Sequence, residues 1–212
     1  MSASTAVEEP RRATGFIELI YRRRAVRAYQ PNAIEERLLH ALLDAAVHAP
    51  TAMHQEPWQF VVVQDRALLK RLSDRAKKMV RVEAAHHSKL LRPHGAAGDG
   101  IASPLADPDF NIFYDAGTLV VICARPTNEF VVADCWLAAE NLMLAACADG
   151  LGTCCIGFAV PVLNTPEAKA ELGIPADVHA FAPIIVGMPR GETPVTPRKP
   201  AVVLNRIRSC AD

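Results

Sequence analysis

AVHAPTAMHQEPWQFVVV, Ala46 to Val63, closes a helix, crosses a polar loop and enters a strand, and the rest of the chain is organised around it. Upstream, Ile34, Leu38, Leu39, Leu42, Leu43 and Ala46 recur at helical spacing across Ile34–Val47. Pro50 cannot continue that helix without losing a backbone donor, so the chain opens at Thr51. Pro57 confines Glu56 to extended geometry, and Trp58–Val63 is a β-rich run suited to burial. A helix end and a strand start therefore flank Pro50–Glu56, a place where backbone groups can meet a flat ligand.

With 212 residues, 50% of them hydrophobic, the chain can bury one full core. Residues 14–208 are expected to form a single domain, and 1–13 a loosely attached, disordered tail. Lys plus Arg (23) equals Asp plus Glu (23), so no bulk field favours nucleic acid or an anionic membrane surface. The apolar runs at Leu119–Ala124 and Leu142–Cys147 are too short to span a bilayer. Glu8, Glu9, Arg11 and Arg12 interrupt the N-terminus, and no secretory signal is expected. Six cysteines without a C-x-x-C pair point to a reduced, cytoplasmic compartment, and adjacent Cys154 and Cys155 read as small core residues.

Phe16–Arg24 reads as a helix running into RRRAVRAY at Arg22–Tyr29. Two readings of that basic segment stand open: cations favoured at a helix C-terminus, or an anion clamp in which Arg23, Arg24 and Arg27 converge if the turn stays helical. Asp65 is placed to cap a helix over Arg66–Val82, whose Leu68, Leu69, Leu72, Ala76 and Met79 share a face. About 83–109 differs in texture, with His86, His87, His94, GAAGDG at Gly95–Gly100, Pro104 and Pro108, and is expected to be a surface insertion covering a site. No carboxylate cluster accompanies its histidines, so no metal site is expected.

Leu119–Cys123 is a second core strand. Val131–Asp149 is apolar nearly all round and needs cover on both sides, which predicts a homodimer. GLGTCCIGF at Gly150–Phe158 matches neither a dinucleotide fingerprint nor a Walker loop, yet its glycines let the main chain approach a planar ligand. Pro161–Leu172 predicts a short helix. His179–Met188 predicts a third strand, with Pro183 marking an irregular start or an edge. Pro189–Pro200 is expected to be extended, with Arg198-Lys199 as a second basic spot.

Taken in order, four stretches resemble the nitroreductase family of FMN-dependent enzymes. RRRAVRAY is similar to its R-x-S-x-R start, and APTAMHQEPWQFVVV to its A-P-S-x-x-N-x-Q-P-W-x-F loop and strand. The buried helix followed by GLGTCCIGF, and the VGMP…PRKP ending, match its remaining landmarks. The resemblance covers Phe16 to Val203, apart from the insertion. It implies an α+β fold, a nitroreductase-like three-layer α-β-α sandwich with a mixed central sheet, as a domain-entwined homodimer with FMN at the interface. Arg23, Arg24, Ala25 and Arg27 would then lie along the phosphate, ribityl chain and pyrimidine edge, with Arg198 at the phosphate. Pro50, Thr51, Ala52 and His54 would approach from the partner subunit, and Cys154, Ile156 and Gly157 would lie over the ring, with the Ile156 amide nearest flavin N5. The implied activity is an oxidoreductase passing hydride from NAD(P)H through FMN to an electron-poor small molecule such as a nitroaromatic or quinone. Flavin binding without turnover, or a specialised reductive branch, is the alternative. No side-chain catalyst is expected, because the cofactor carries the chemistry.

Three positions depart from the pattern. Ala25 replaces Ser and leaves only backbone for a ligand there. His54 stands where Asn is common and brings a titratable ring. Glu56 replaces Gln.

Overall fold

Among the described residues four strands form one sheet in the order β1-β2-β4-β3: β1 (Gln59–Val63), β2 (Thr118–Ala124), β3 (Gly152–Cys155) and β4 (His179–Gly187). The computed structural model describes residues 14–86, 105 and 107–207. All seven residues of β2 are buried, because helices cover both faces of the sheet. Leu119, Val121 and Cys123 point to one side, where they meet α3 (Arg66–His86), α5 (Val160–Leu163) and α6 (Pro166–Leu172). Val120, Ile122 and Ala124 point to the other, into α2 (Glu36–Val47) and α4 (Val131–Ala148). Two hydrophobic cores with the sheet between them make the expected three-layer α-β-α sandwich. The last helix, α1 (Thr14–Arg22), packs on α4.

The strand pairings are all antiparallel. The sheet is therefore antiparallel where a mixed one was expected; an isolated parallel bridge joins Ala25 to Thr153, beside β3. Sequence reasoning took Gly150–Phe158 for a tight glycine-bounded segment, but Gly152–Cys155 is a strand paired along Ile184–Gly187. Four residues with two cysteines carry too little β-branched signal to be read alone. Pro183 does not mark an edge, since β4 is interior. The irregularity it implied is real: the register slips between Ile122 and Cys123, whose partners are Ala182 and Ala180. That bulge turns Ala180 to the face opposite Ala182.

Local chemistry explains the helix ends. Asp65 Oδ1 accepts from the amides of Ala67 (2.8 Å) and Leu68 (3.1 Å), which caps α3 as predicted. Thr165 Oγ1 accepts from Ala168 N ahead of Pro166, the first residue of α6. Gly150, at φ +73°, ends α4 in the left-handed conformation glycine tolerates. α3 runs four residues past its predicted end, through His86, so it takes in the start of the expected insertion; residues 87–104 and 106 of that insertion lie outside the described residues. The tail expected at 1–13 also lies outside them.

α4 is long and apolar enough by composition to cross a bilayer. Here it is a core helix, with Val131, Asp134, Cys135, Ala138, Ala139, Leu142, Met143 and Ala146 buried. Its neighbour α2 contributes Leu39, Leu42 and Ala46, and Asn141 Nδ2 donates to Ala45 O across the pair (3.2 Å). Leu42 is wholly buried at this contact. Leu42→Ala is expected to cost about 2–5 kcal/mol through the lost contacts and the cavity left behind, read as a lowered urea midpoint with an unchanged slope.

Candidate functional site

Past α1 the arginine segment is extended rather than helical. Val26 N donates to Thr153 O (3.0 Å), Gln30 N to Met188 O (2.9 Å), and Arg190 N to Ala28 O (2.9 Å). These bonds lay Ala25–Gln30 along β3 and along the chain leaving β4. The contact requires a glycine at 152, because a Cβ there would sit 2.8 Å from Val26 Cβ. Tyr29 is buried beside Gly187 and donates its hydroxyl to Val26 O (2.8 Å). Burial raises its phenol pKa far above the ordinary value.

The three arginines meet different fates. Arg24 donates to Tyr21 O and Arg23 O, capping the end of α1 as the helix-terminus reading supposed. Arg23 Nε lies 3.4 Å from Glu140 Oε1 of α4, and Arg22, Arg23 and Arg24 border a cavity of about 220 Å³. Arg27 turns instead into a larger cavity of about 630 Å³, where its guanidinium lies 5.9 Å from the Tyr114 ring centroid. The helical convergence of Arg23 with Arg27 is therefore replaced by an extended backbone that shares them between two hollows.

Cys154, Cys155, Ile156, Gly157 and Phe158 line the larger cavity from the end of β3, and Leu105, Phe110, Ile112 and Tyr114 line it from the segment before β2. Among the described residues it is an apolar, aromatic-walled slot with one cation, Arg27, a chemistry that suits a flat ring with an electron-rich edge. The Ile156 amide donates to Pro183 O (2.9 Å), so this donor is held by the sheet and is not available to a ligand as anticipated. Gly157 is exposed, with open space where a Cβ would project, and lets a ligand approach the main chain. Burial pushes the Cys154 thiol up against the opposing pull of Arg27 and Arg23, and pushes the Cys155 thiol up to about 11. Neutral thiols are poor nucleophiles, which argues against cysteine catalysis.

Pro50–Glu56 forms a separate exposed loop. Met53 (φ 54°), His54 (φ 53°) and Glu56 (φ 43°) all occupy the left-handed region, which non-glycine residues adopt at a cost of about 1–3 kcal/mol each. Glu56 is thus left-handed rather than extended as expected before Pro57, the loop's tertiary ties overriding the local preference. Histidine and asparagine are both enriched in that conformation, so His54 meets the backbone demand of a position where the resembling family favours Asn. Buried Asp134 of α4 holds the loop by accepting from Ala52 N (3.2 Å), and Asn128 Nδ2 donates to Gln55 Oε1 (2.9 Å).

Of the residues singled out from sequence, the fold brings Arg27, Cys154, Ile156 and Gly157 together at the larger cavity. Arg23 and Arg24 border the smaller one, and Ala25 bridges to Thr153 by backbone alone. Pro50, Thr51, Ala52 and His54 line neither cavity, and Arg198 lies exposed on the tail. Sequence reasoning missed Phe110, Ile112, Tyr114 and Asp134. A carboxylate on an otherwise apolar helix was the available signal for Asp134; the aromatic wall sits in a loop without periodicity and had none.

Comparison with known proteins gives the family and the fold. Residues 20–188 match the sequence profile of the nitroreductase family. A protein named NADH dehydrogenase from Thermus thermophilus is 39% identical over 184 residues, covering 79% of this chain and 82% of that one. Nitroreductase NfnB of Mycolicibacterium smegmatis is 29% identical over 178 residues, covering 74% and 75%. Among solved structures, a Bacteroides fragilis nitroreductase with bound FMN superposes at a TM-score of 0.73, with 26% identity, over 92% of this chain and 99% of that one.

Gly152→Ala is expected to push Val26 off β3, at a cost of about 1–3 kcal/mol. Amide exchange by NMR checks it: the Val26 amide loses protection while β2 keeps its own.

Proposed function

This chain belongs to the nitroreductase family, and on that premise we propose that it is an FMN-dependent oxidoreductase that takes hydride from NAD(P)H and reduces an electron-poor acceptor such as a nitroaromatic or quinone. The observation that carries the reading is the laying of the arginine segment on β3, which turns Arg27 into an apolar slot bordered by Cys154, Ile156 and Gly157. These residues fit the ring of a flavin, an apolar hollow with a cation for its electron-rich edge; in this reading Arg23 and Arg24 from the smaller cavity and Arg198 from the tail would neutralise the phosphate. Bound FMN supplies the redox chemistry. The chain's residues bind and orient it, and the Arg27 guanidinium favours negative charge that develops beside it. The name of the Thermus relative supports a nicotinamide as electron source.

The partner in this reading is a second copy of the chain. On α4, Val132, Trp136 and Leu137 face outward, and α1 exposes Phe16, Ile17, Ile20 and Tyr21. The tail presents Val195, Val202, Val203, Leu204 and Ile207, between 73% and 97% exposed. Apolar surface on this scale supports that reading, because such patches are commonly covered by a partner. A homodimer would also give the strained Pro50–Glu56 loop a ligand to face, supplying Pro50, Thr51, Ala52 and His54 to the partner's flavin. The same reading puts the protein in the reducing cytoplasm, where its free cysteines persist.

Three outcomes are expected. The purified protein is yellow, and anaerobic NADH or NADPH bleaches it; flavin that stays oxidised with both sinks the oxidoreductase. Light scattering gives twice the chain mass, whereas a monomer at micromolar concentration removes the shared site. Arg27→Ala weakens FMN binding by about 1.5–3 kcal/mol in a fluorescence titration, the scale of a charge-assisted hydrogen bond.

A further inference from the structure

Two lysines are buried among the described residues: Lys169, which donates to Ala176 O (2.9 Å), and Lys77, which reaches toward the wall of the larger cavity. Ser73 and Lys77 lie on the inward face of α3, which Leu69, Leu72 and Ala76 otherwise make apolar. The Lys77 side chain is 8% exposed, and its ammonium donates to Pro108 O (2.8 Å) and Phe110 O (2.7 Å), with Asp107 O at 3.4 Å. Asp74 Oδ1 lies 3.1 Å from the same nitrogen. Two residues on, Ile112 N donates to Ser73 Oγ (3.0 Å). An apolar residue would satisfy the core at position 77; three donors aimed at the carbonyls of one short turn do something more specific.

That turn begins the inner wall of the larger cavity. Phe110 and Tyr114 line it in an edge-to-face pair, with centroids 5.5 Å apart and planes at 83°. The backbone beyond is strained, with Tyr114 at φ 51° and Asp115 at φ 57°. Asn111 holds it there: its Oδ1 accepts from Phe113 N (3.0 Å), its Nδ2 donates to Asp115 Oδ1 (2.9 Å), and its carbonyl accepts from Tyr114 N (2.8 Å). A strained loop keeps one conformation only while its surroundings over-determine it. Lys77 and Ser73 fix the start of the wall, and Asn111 fixes its turn.

We infer that Lys77 is a positioning residue for acceptor choice: by gripping the carbonyls of 107–110 it sets Phe110 and Tyr114 as a rigid aromatic wall, which favours planar aromatic acceptors. This rests on the flavoenzyme reading for the identity of the reaction, while the grip itself is a property of the chain alone. Without the ammonium, the carbonyls turn to water and the wall loses its fixed spacing. Flavin binding changes little, because Lys77 lines neither cavity and the segment that carries Arg27 keeps its own backbone bonds to β3 and to the chain leaving β4, although Tyr114 lies beside Arg27.

Lys77→Met keeps the stem and removes the donors, and Ser73→Ala releases the other anchor should that variant fold poorly. The first readout needs no flavin. Amide exchange across 107–116 accelerates about tenfold or more, while α4 and β2 exchange at the wild-type rate. The second readout mixes dithionite-reduced holoenzyme anaerobically with menadione or ferricyanide. Each reduced flavin gives two electrons and two protons to one menadione, or one electron to each of two ferricyanide ions with its protons released to solvent. The menadione rate constant is expected to fall about tenfold, with the ferricyanide rate constant and the FMN dissociation constant within about twofold of wild type. Unchanged exchange over 107–116 overturns the grip whether or not flavin binds. Faster exchange with both acceptors slowed alike overturns the role in acceptor choice. Failure of the wild-type protein to take up FMN is a different result, visible in its spectrum alone, and overturns the flavoenzyme reading.

Discussion

The candidate site depends on the contact of Val26 with Gly152. An extended backbone can run beside β3 only where the strand presents no side chain, and the 2.8 Å that would separate an added Cβ from Val26 shows how little room exists. Once the segment is seated, Val26 and Tyr29 are buried in the core beneath it while Arg27 is left facing the cavity. Neighbouring side chains of an extended chain point to opposite sides, which separates Val26 from Arg27; Tyr29, three residues on from Val26, departs from that alternation and returns to the core, where its hydroxyl donates to Val26 O. Burial of two apolar residues thus fixes where a cation is displayed, and the chemistry of the slot follows from the packing under it.

Polar side chains inside the sandwich act mainly as ties between the sheet and the loops at its rim. Thr118 Oγ1 accepts from Ile34 N (3.2 Å) and from Gln64 Nε2 (3.1 Å), which joins the approach to α2 with both β1 and β2. Lys77 and Ser73 do the same for the aromatic wall, and Asp134 for the Pro50–Glu56 loop. Each tie satisfies buried backbone groups that regular structure leaves unpaired, where an unmet donor or acceptor would be costly. The strained residues sit within or next to these ties: Met53, His54 and Glu56 follow the amide held by Asp134, and Tyr114 and Asp115 follow the turn held by Lys77. Two strained loops secured by buried polar groups, one at the slot and one on an exposed rim, are what a ligand site shared between two copies would require.

How much of this was legible depends on the range of the interaction involved. The α2, α3 and α4 helices and three of the four strands follow from periodicity, from Pro50 and Pro57, and from the Asp65 cap, all of which act within a few residues. The arginine segment was recognisable as a basic cluster and as part of a family pattern, but its conformation was not: Arg22–Tyr29 has no period of its own, and it is extended because β3 offers it backbone partners. β3 was missed for the reciprocal reason, since four residues with a glycine and two cysteines become a strand by pairing with β4 on one side and Ala25 on the other. Pro183 misled as an edge marker because β4 lies between β2 and β3; the proline stands in register opposite Val121, one residue beyond the last β3 pair, Cys155 with Ile184, so no further β3 pair calls on its missing amide hydrogen.

Sequence by itself determined the helices that cover the sheet and the residue types available for an anion and a flat ring, because composition, spacing and local stereochemistry are properties of neighbouring residues; the sandwich class and the family came through the resemblance of four motifs in order. Only the tertiary structure decided that Arg24 caps a helix while Arg27 faces the slot, that the Ile156 amide belongs to the sheet, and that Phe110 and Tyr114 wall the cavity under the hold of Lys77. Those assignments turn on which distant backbone group each donor reaches, a matter of packing geometry that no linear spacing encodes.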